Sequence, residues 1–202
     1  MGEGGTTKGV MRRLRRLAAP KDRAQLRDTL KLAAQHGLLD ADALSMLEGV
    51  LDVADLQVRD IMVPHNHMIC VREDDLAQHA VSVAIDSGHS RFPVLAADGE
   101  KVAGILLAKD LLRLLTVSTA ASFDLRDWMR KPLFVPESKR VNVLLKELRG
   151  GRNHMAIAID EYGSVAGLVT MEDVIEQIVG EIDDEYDVED EKNIRREDDR
   201  QF

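Results

Sequence analysis

The sequence predicts an α/β (α+β) chain made of two copies of one β-α-β-β-α module behind an N-terminal helical extension. Three observations carry this reading. The stretch Val102-Ala-Gly-Ile-Leu-Leu-Ala-Lys-Asp-Leu-Leu112 recurs as Val165-Ala-Gly-Leu-Val-Thr-Met-Glu-Asp-Val-Ile175, with Val, Ala, Gly and Asp at a constant offset of 63 and Gly88 matched to Gly151 at the same offset. The openings recur as well: Val58-Arg-Asp-Ile-Met62 is matched by Leu125-Arg-Asp-Trp-Met129, with Pro64 and Pro132 just after. Finally, a unit of roughly 55–60 residues buries only a marginal core alone, so two copies are expected to pack together.

Residues 1–24 are expected to form a basic, disordered arm. Residues 1–30 carry eight Lys/Arg against three acids, concentrated in Met11-Arg-Arg-Leu-Arg-Arg-Leu-Ala-Ala-Pro20. A solvated arm is the plainer reading, and a weak contact with an anionic membrane surface or RNA is the other. The arm lacks the apolar region of a signal peptide. Nothing in the chain reaches the ~18–20 apolar residues of a transmembrane helix.

Residues 25–57 read as two short helices forming an extension that packs on the modules. Leu26, Leu30 and Ala33 share a face and Gly37 ends the first helix. Asp40 can cap the second, with Leu44, Leu47 and Leu51 on its apolar side.

The modules are expected at 58–118 and 119–182. Each begins with an extended piece, Met68 to Val71 and Leu133 to Val135. An amphipathic helix follows, its apolar face made by Leu76, Ala80, Val83 and Ala84 in the first copy and by Val141, Leu144, Leu145 and Leu148 in the second. Gly88 and Gly150-Gly151 are expected to stop these helices. Two strands joined at Asp98-Gly99 or Glu161-Tyr-Gly163 come next, and a last helix closes each unit.

The chemistry-bearing stretch is Ala166 to Ile175, a buried strand running into a helix. Thr170 stands at the N-cap, Asp173 lies in the first turn, and Val174, Ile175, Ile178 and Val179 follow at helical spacing. A helix start offers free N–H groups and a partial positive charge to a phosphate. A hydroxyl and a carboxylate fixed there suit a phosphate and a ribose diol. A plain capping box without ligand is the alternative.

With the repeat in hand, the chain resembles the CBS domain, which works as a tandem pair binding adenosine nucleotides. Val58-Arg-Asp-Ile-Met-Val-Pro64, Gly88-His-Ser-Arg-Phe-Pro-Val94 and the long run from Gly167 to Asp187 are similar, more narrowly, to the CorC family of magnesium and cobalt efflux proteins. The likeness covers roughly residues 26–190. It implies AMP or ATP as ligand, with or without Mg2+, a homodimer formed through the CBS domains, and a membrane transporter partner. It is closest to the branch without a membrane domain, which implies a cytoplasmic protein peripheral to the inner membrane. It also implies that residues 183–202 are an acidic linker to a C-terminal domain this chain lacks. The family commonly carries Arg where this chain has His65, so a phosphate contact there would become pH-dependent.

A pseudo-twofold pair creates two clefts, and they differ chemically. The second copy offers Thr170 and Asp173; the first offers Leu107 and Asp110, without a hydroxyl. One occupied cleft is therefore expected, with Asp173 accepting from the ribose hydroxyls and Thr170 facing the phosphate. By resemblance, Met155, Ala156 and Leu168 form one wall of an adenine slot, and Met62, Val63 and Pro64 form the other. His89, Ser90 and Arg91 can reach the phosphate, with Arg91 the best charge partner.

Other classes are disfavoured. The net charge of −9 argues against general nucleic-acid binding. No Ser-His-Asp order, Walker loop or carboxylate pair with a cleft suggests an enzyme. Cys70, the sole cysteine, lies in a predicted strand and reads as a small buried residue. His65 and His67 would share a face of a strand and could start a metal site, but no third ligand is near. Glu181 to Glu191 has no loop spacing for a cation and reads as a linker. The expected function is regulation of magnesium and cobalt efflux by nucleotide. The alternatives are a nucleotide-sensing adaptor for another cytosolic process and a structural dimerisation module.

Overall fold

The computed structural model describes residues 19–112 and 124–180. The basic arm up to residue 18, the segment 113–123 and the acidic run 181–202 lie outside the described residues.

Two helices lead the chain, α1 (Arg23–Gln35) and α2 (Ala41–Val53). Each starts on an aspartate: Asp22 accepts from the Gln25 N–H at 2.8 Å and Asp40 from the Ala43 N–H at 2.7 Å. The first module comprises α3 (Val58–Ile61), β1 (Val63–Pro64), β2 (Val71–Arg72), α4 (Ala77–Ser87), β3 (Arg91–Leu95), β4 (Val102–Leu107) and α5 (Ala108–Leu111). The second comprises β5 (Phe134–Pro136), α6 (Val141–Gly151), β6 (Met155–Ile159), β7 (Val165–Thr170) and α7 (Met171–Val179). It opens with a 3-10 turn, Leu125–Asp127, where the first opens with α3.

The strands form two sheets, ordered β2-β3-β4 and β1-β7-β6-β5. In both, the first extended piece runs parallel to the next strand and the hairpin is antiparallel. Both hairpins also bulge at matching places, between Val94 and Leu95 and between Ala158 and Ile159. The repeat thus extends to backbone register, which is what two copies of one unit should show.

Among the described residues three apolar clusters hold the fold. One lies under α6 and α7, with Val135, Leu144, Leu148, Ala156 and Val169; one lies under α4, with Val71, Ala80, Phe92, Val94 and Leu106. The third joins the sheets: Val102 and Ile105 of β4 meet Met155, Ile157 and Leu168 of β6 and β7. Strand alternation sorts these residues, since successive side chains face opposite sides.

The openings are exchanged between modules. Val58 of the first copy is buried in the second module's core, and Leu125 of the second is buried in the first's. β1 pairs antiparallel with β7, placing Val63 opposite Leu168. Arg130 pairs with Ile105 of β4, each N–H donating to the other's carbonyl at 2.9 Å. Glycine permits both passes: a Cβ on Gly167 would overlap the Val63 carbonyl oxygen, and one on Gly104 would lie 2.6 Å from Met129 Cβ.

Several local expectations are corrected. Cys70 precedes β2 rather than lying in it, because the strand is reduced to Val71–Arg72. Leu76 is the extended N-cap of α4, 74% exposed, and the buried face falls to Ala77 and Ala80. Gly88 ends α4 in the left-handed conformation at φ 68°, but α6 runs through Gly150 and Gly151 and places Arg152 there, at φ 53°. Leu47 is exposed, while Leu44 and Leu51 are half-buried. The extension does pack on the second module, with α2 crossing α7 at Gly49.

Candidate functional site

β7 delivers the chain into α7 at Thr170, which is extended (φ −106°, ψ 168°) and caps the helix. Its Oγ1 accepts from the Asp173 N–H at 3.1 Å, and its own N–H donates to Asp173 Oδ2 at 2.7 Å. The capping box read from the sequence is therefore formed. The Met171 N–H donates to the His154 carbonyl oxygen at 2.9 Å. Of the first-turn amides, this leaves the Glu172 N–H for a ligand.

This helix start borders a cleft of about 390 Å³. That volume lies in the usual range for small-ligand sites, roughly 300–1,000 Å³. Thr170, Asp173 and Glu172 form one side, and Met155 and Leu168 form an apolar wall from β6 and β7. Val63 closes the wall from β1. Gly88, His89, Ser90 and Arg91 come from the far end of the first module's helix and the start of β3, and His67, Met68 and Ile69 from the segment before β2. Both modules thus contribute, as a site drawing on the pair requires.

The electrostatics are mixed in a useful way. Arg91 is half-buried and has no ion-pair partner among the described residues, so its guanidinium is available to an anion. The imidazole of His89, which lines the cleft, sits 6.3 Å from the Phe92 ring, tilted by 49°. Glu172 lies 3.9 Å from His154 Nδ1. Asp173 uses Oδ2 in the cap, which leaves Oδ1 for a ligand hydroxyl.

Of the sequence-derived set, Val63, His89, Ser90, Arg91, Met155, Leu168, Thr170 and Asp173 converge on the cleft. Met62, Pro64 and Ala156 do not line it. Ala156 is fully buried in the core below α6 and α7, because alternation turns it away from the face that carries Met155. Met62 packs on that same core, and Pro64 is exposed beside Gly167. The reading missed His67, Met68, Ile69, Gly88 and Glu172 as cleft residues. Glu172 and Gly88 stood inside the motifs themselves; Met68 and Ile69 carried no signal, since only the fold brings their segment to β7.

His65 and His67 occupy a 3-10 turn, not a strand. His67 faces the cleft, while His65 lines a separate cavity of about 870 Å³ beside Lys101, Phe134 and Tyr162. The pair therefore does not converge, and His65 does not line this cleft. Among the described residues no group of three His, Cys, Asp or Glu is placed to hold a metal ion. Burial pushes the Cys70 thiol from 9.0 to about 11, which keeps it a protonated, weakly nucleophilic group. No described helix is long and apolar enough to cross a membrane.

Comparison with known proteins agrees with this architecture. The CBS domain family matches residues 58–117 and 125–180, and the family described as the N-terminal region of NMB0537 matches residues 18–53. A magnesium and cobalt efflux protein CorC of Vibrio cholerae is 46% identical over 196 residues, covering 96% of this chain and 67% of the relative. That of Escherichia coli is 49% identical over 177 residues, covering 88% of this chain and 60% of the relative. The chain thus spans 60–67% of these relatives' length. The CBS domain of a bacterial CNNM/CorC family Mg2+ transporter, solved in complex with ATP, is 37% identical with a TM-score of 0.65, covering 68% of this chain and 97% of that one. A CBS-domain pair with bound AMP from Klebsiella pneumoniae is 28% identical with a TM-score of 0.54, covering 62% of this chain and 100% of that one. Paired modules, exchanged openings and this level of identity together place the chain in the CorC family of CBS-domain proteins.

Proposed function

We propose that this chain is the adenosine-nucleotide-sensing CBS pair of a protein acting in magnesium and cobalt efflux. The observation that carries the reading is the cleft itself. It combines a capped helix start, a carboxylate with a free oxygen, an unpaired arginine and an apolar slot, drawn from both modules. Each matches one part of a nucleotide: phosphate to Arg91 and the Glu172 N–H, ribose to Asp173, adenine to Val63, Met155 and Leu168. The relatives' names supply the process, and the ATP-bound and AMP-bound neighbours supply the ligand class.

Occupancy would bias the relative orientation of the modules, because the ligand bridges them. The chain has no catalytic role in this reading. It acts at the cytoplasmic side of the inner membrane, as a homodimer, on a transporter. Calorimetric titration with AMP, and with ATP with and without Mg2+, tests the site. About one nucleotide per chain is expected, and no binding by any of the three overturns the reading. Deleting the gene tests the process, since unchanged cobalt and magnesium tolerance removes the efflux role.

A further inference from the structure

The first module's counterpart of the cleft is not merely short of a hydroxyl. Leu107 stands at the place of Thr170 and Asp110 at that of Asp173. The exchanged openings complete the comparison. Val63 lies opposite Leu168 on β7, and Arg130 lies opposite Ile105 on β4, the repeat partner of Leu168. Where the second cleft has an apolar wall, the first therefore has a guanidinium. Arg130 Nη2 donates to Asp110 Oδ2 at 3.2 Å. The Asp110 side chain is only 17% exposed. Its counterpart Asp173 instead turns Oδ2 to the Thr170 N–H and borders an open cleft.

A guanidinium and a ribose diol ask the same thing of a carboxylate, two donors aimed at its oxygens. Resting on the nucleotide reading of the second cleft, we propose that Arg130 determines stoichiometry: it occupies Asp110 as an internal substitute for the ribose and so excludes a nucleoside from the first cleft. The loss of the hydroxyl at Leu107 removes a second contact. The pair also ties the second module's opening to the first module.

The experiment is calorimetry with AMP on the full chain, moving the arginine in both directions. Val63→Arg carries it into the second cleft and should weaken binding at least tenfold more than the similarly long but uncharged Val63→Met does. Leu107→Thr with Arg130→Val removes it from the first cleft and should raise stoichiometry from one to two. Thermal melting checks that each variant folds. Val63→Arg binding as the parent does, Val63→Met losing as much as Val63→Arg, or the double variant remaining at one AMP would each overturn the proposal. A parent chain that binds no AMP fails earlier, on the reading of the second cleft, and the two failures are thereby distinguished.

Discussion

Thr170 and Asp173 hold each other through two reciprocal hydrogen bonds, Asp173 N–H to Thr170 Oγ1 at 3.1 Å and Thr170 N–H to Asp173 Oδ2 at 2.7 Å. The cap and the proposed ligand site therefore share two residues but not the same carboxylate oxygen, and the capping box does not compete with a binding site. It orients one. The cap holds the carboxylate through Oδ2 on a residue that lines the cleft.

This makes the two roles separable by substitution. Asp173→Ala should cost about 0.5–2 kcal/mol, the range for losing a helix cap, and lower nucleotide affinity at least tenfold. Asp173→Asn keeps an oxygen for the Thr170 N–H but removes the charge. It should melt near the parent temperature yet bind several-fold more weakly. Thr170→Ser should retain both properties. Calorimetry and thermal melts read the two effects; an Asn variant with undiminished affinity would reduce Asp173 to a cap.

Gly167 and Gly104 let the exchanged openings pass close to the sheets. At Gly167 a methyl would meet the Val63 carbonyl oxygen, which is backbone and cannot swing away. Gly167→Ala should destabilise the chain by more than about 2 kcal/mol, as strain in a packed core does, and should abolish nucleotide binding by displacing Val63. At Gly104 the methyl would meet Met129, at 2.6 Å from Cβ and 2.8 Å from Sδ. Met129 Cβ is tied to the backbone and only its sulfur can swing away, but 2.6 Å is a milder overlap than the one at Gly167, so Gly104→Ala should cost less. Chemical denaturation of both variants gives the ranking, and a reversed order would contradict the geometry.

Gly49 does the same for the N-terminal extension. A Cβ there would lie 2.5 Å from the Ile178 carbonyl oxygen and 2.9 Å from that of Gln177. Gly49→Ala should lift α2 from the last turn of α7 and raise amide exchange along α2. The proposed nucleotide cleft sits at the opposite end of α7, so affinity should change less than twofold.

Cys70 supplies a pH signature. Its thiol is raised from 9.0 to about 11 by burial, so the folded state favours the neutral form. A raised pKa contributes stability that is complete below the unfolded value and lost as pH rises through the folded one. The loss should therefore fall between pH 9 and about 11. Cys70→Ala should flatten the alkaline limb of a stability profile in that window. Alkylation of the native chain at pH 8 should run at least tenfold slower than in denaturant, and equal rates would show an exposed thiolate.

Much of the site was legible because its signals are local. Thr170 and Asp173 lie three apart across a strand-to-helix junction, and Gly88-His-Ser-Arg91 follows a helix-stopping glycine. Errors arose where a neighbour in sequence is not a neighbour in space. Ala156 adjoins Met155 but faces the other side of β6. His65 and His67, read as strand partners, are turned into different cavities by a 3-10 turn. Arg152 takes the left-handed position expected of Gly151, because α6 continues through both glycines.

The sequence by itself determined the two-module architecture, the hairpins, the caps on Asp40 and Thr170, and the chemical inequality of the two clefts. All of these follow from periodicity, turn chemistry and residue type within a few positions. Only the tertiary structure decided that the openings are exchanged, with Val58 buried in the second module and Leu125 in the first. It alone decided that Arg130 meets Asp110. The physical reason is that each opening has an apolar residue to bury and backbone N–H and C=O groups to pair. Two similar modules offer it similar partners, so local pattern cannot say which copy will receive it. Close approach at Gly104 and Gly167, repeat counterparts of each other, accommodates both passes without deciding between them, so the choice belongs to the packing of the whole pair.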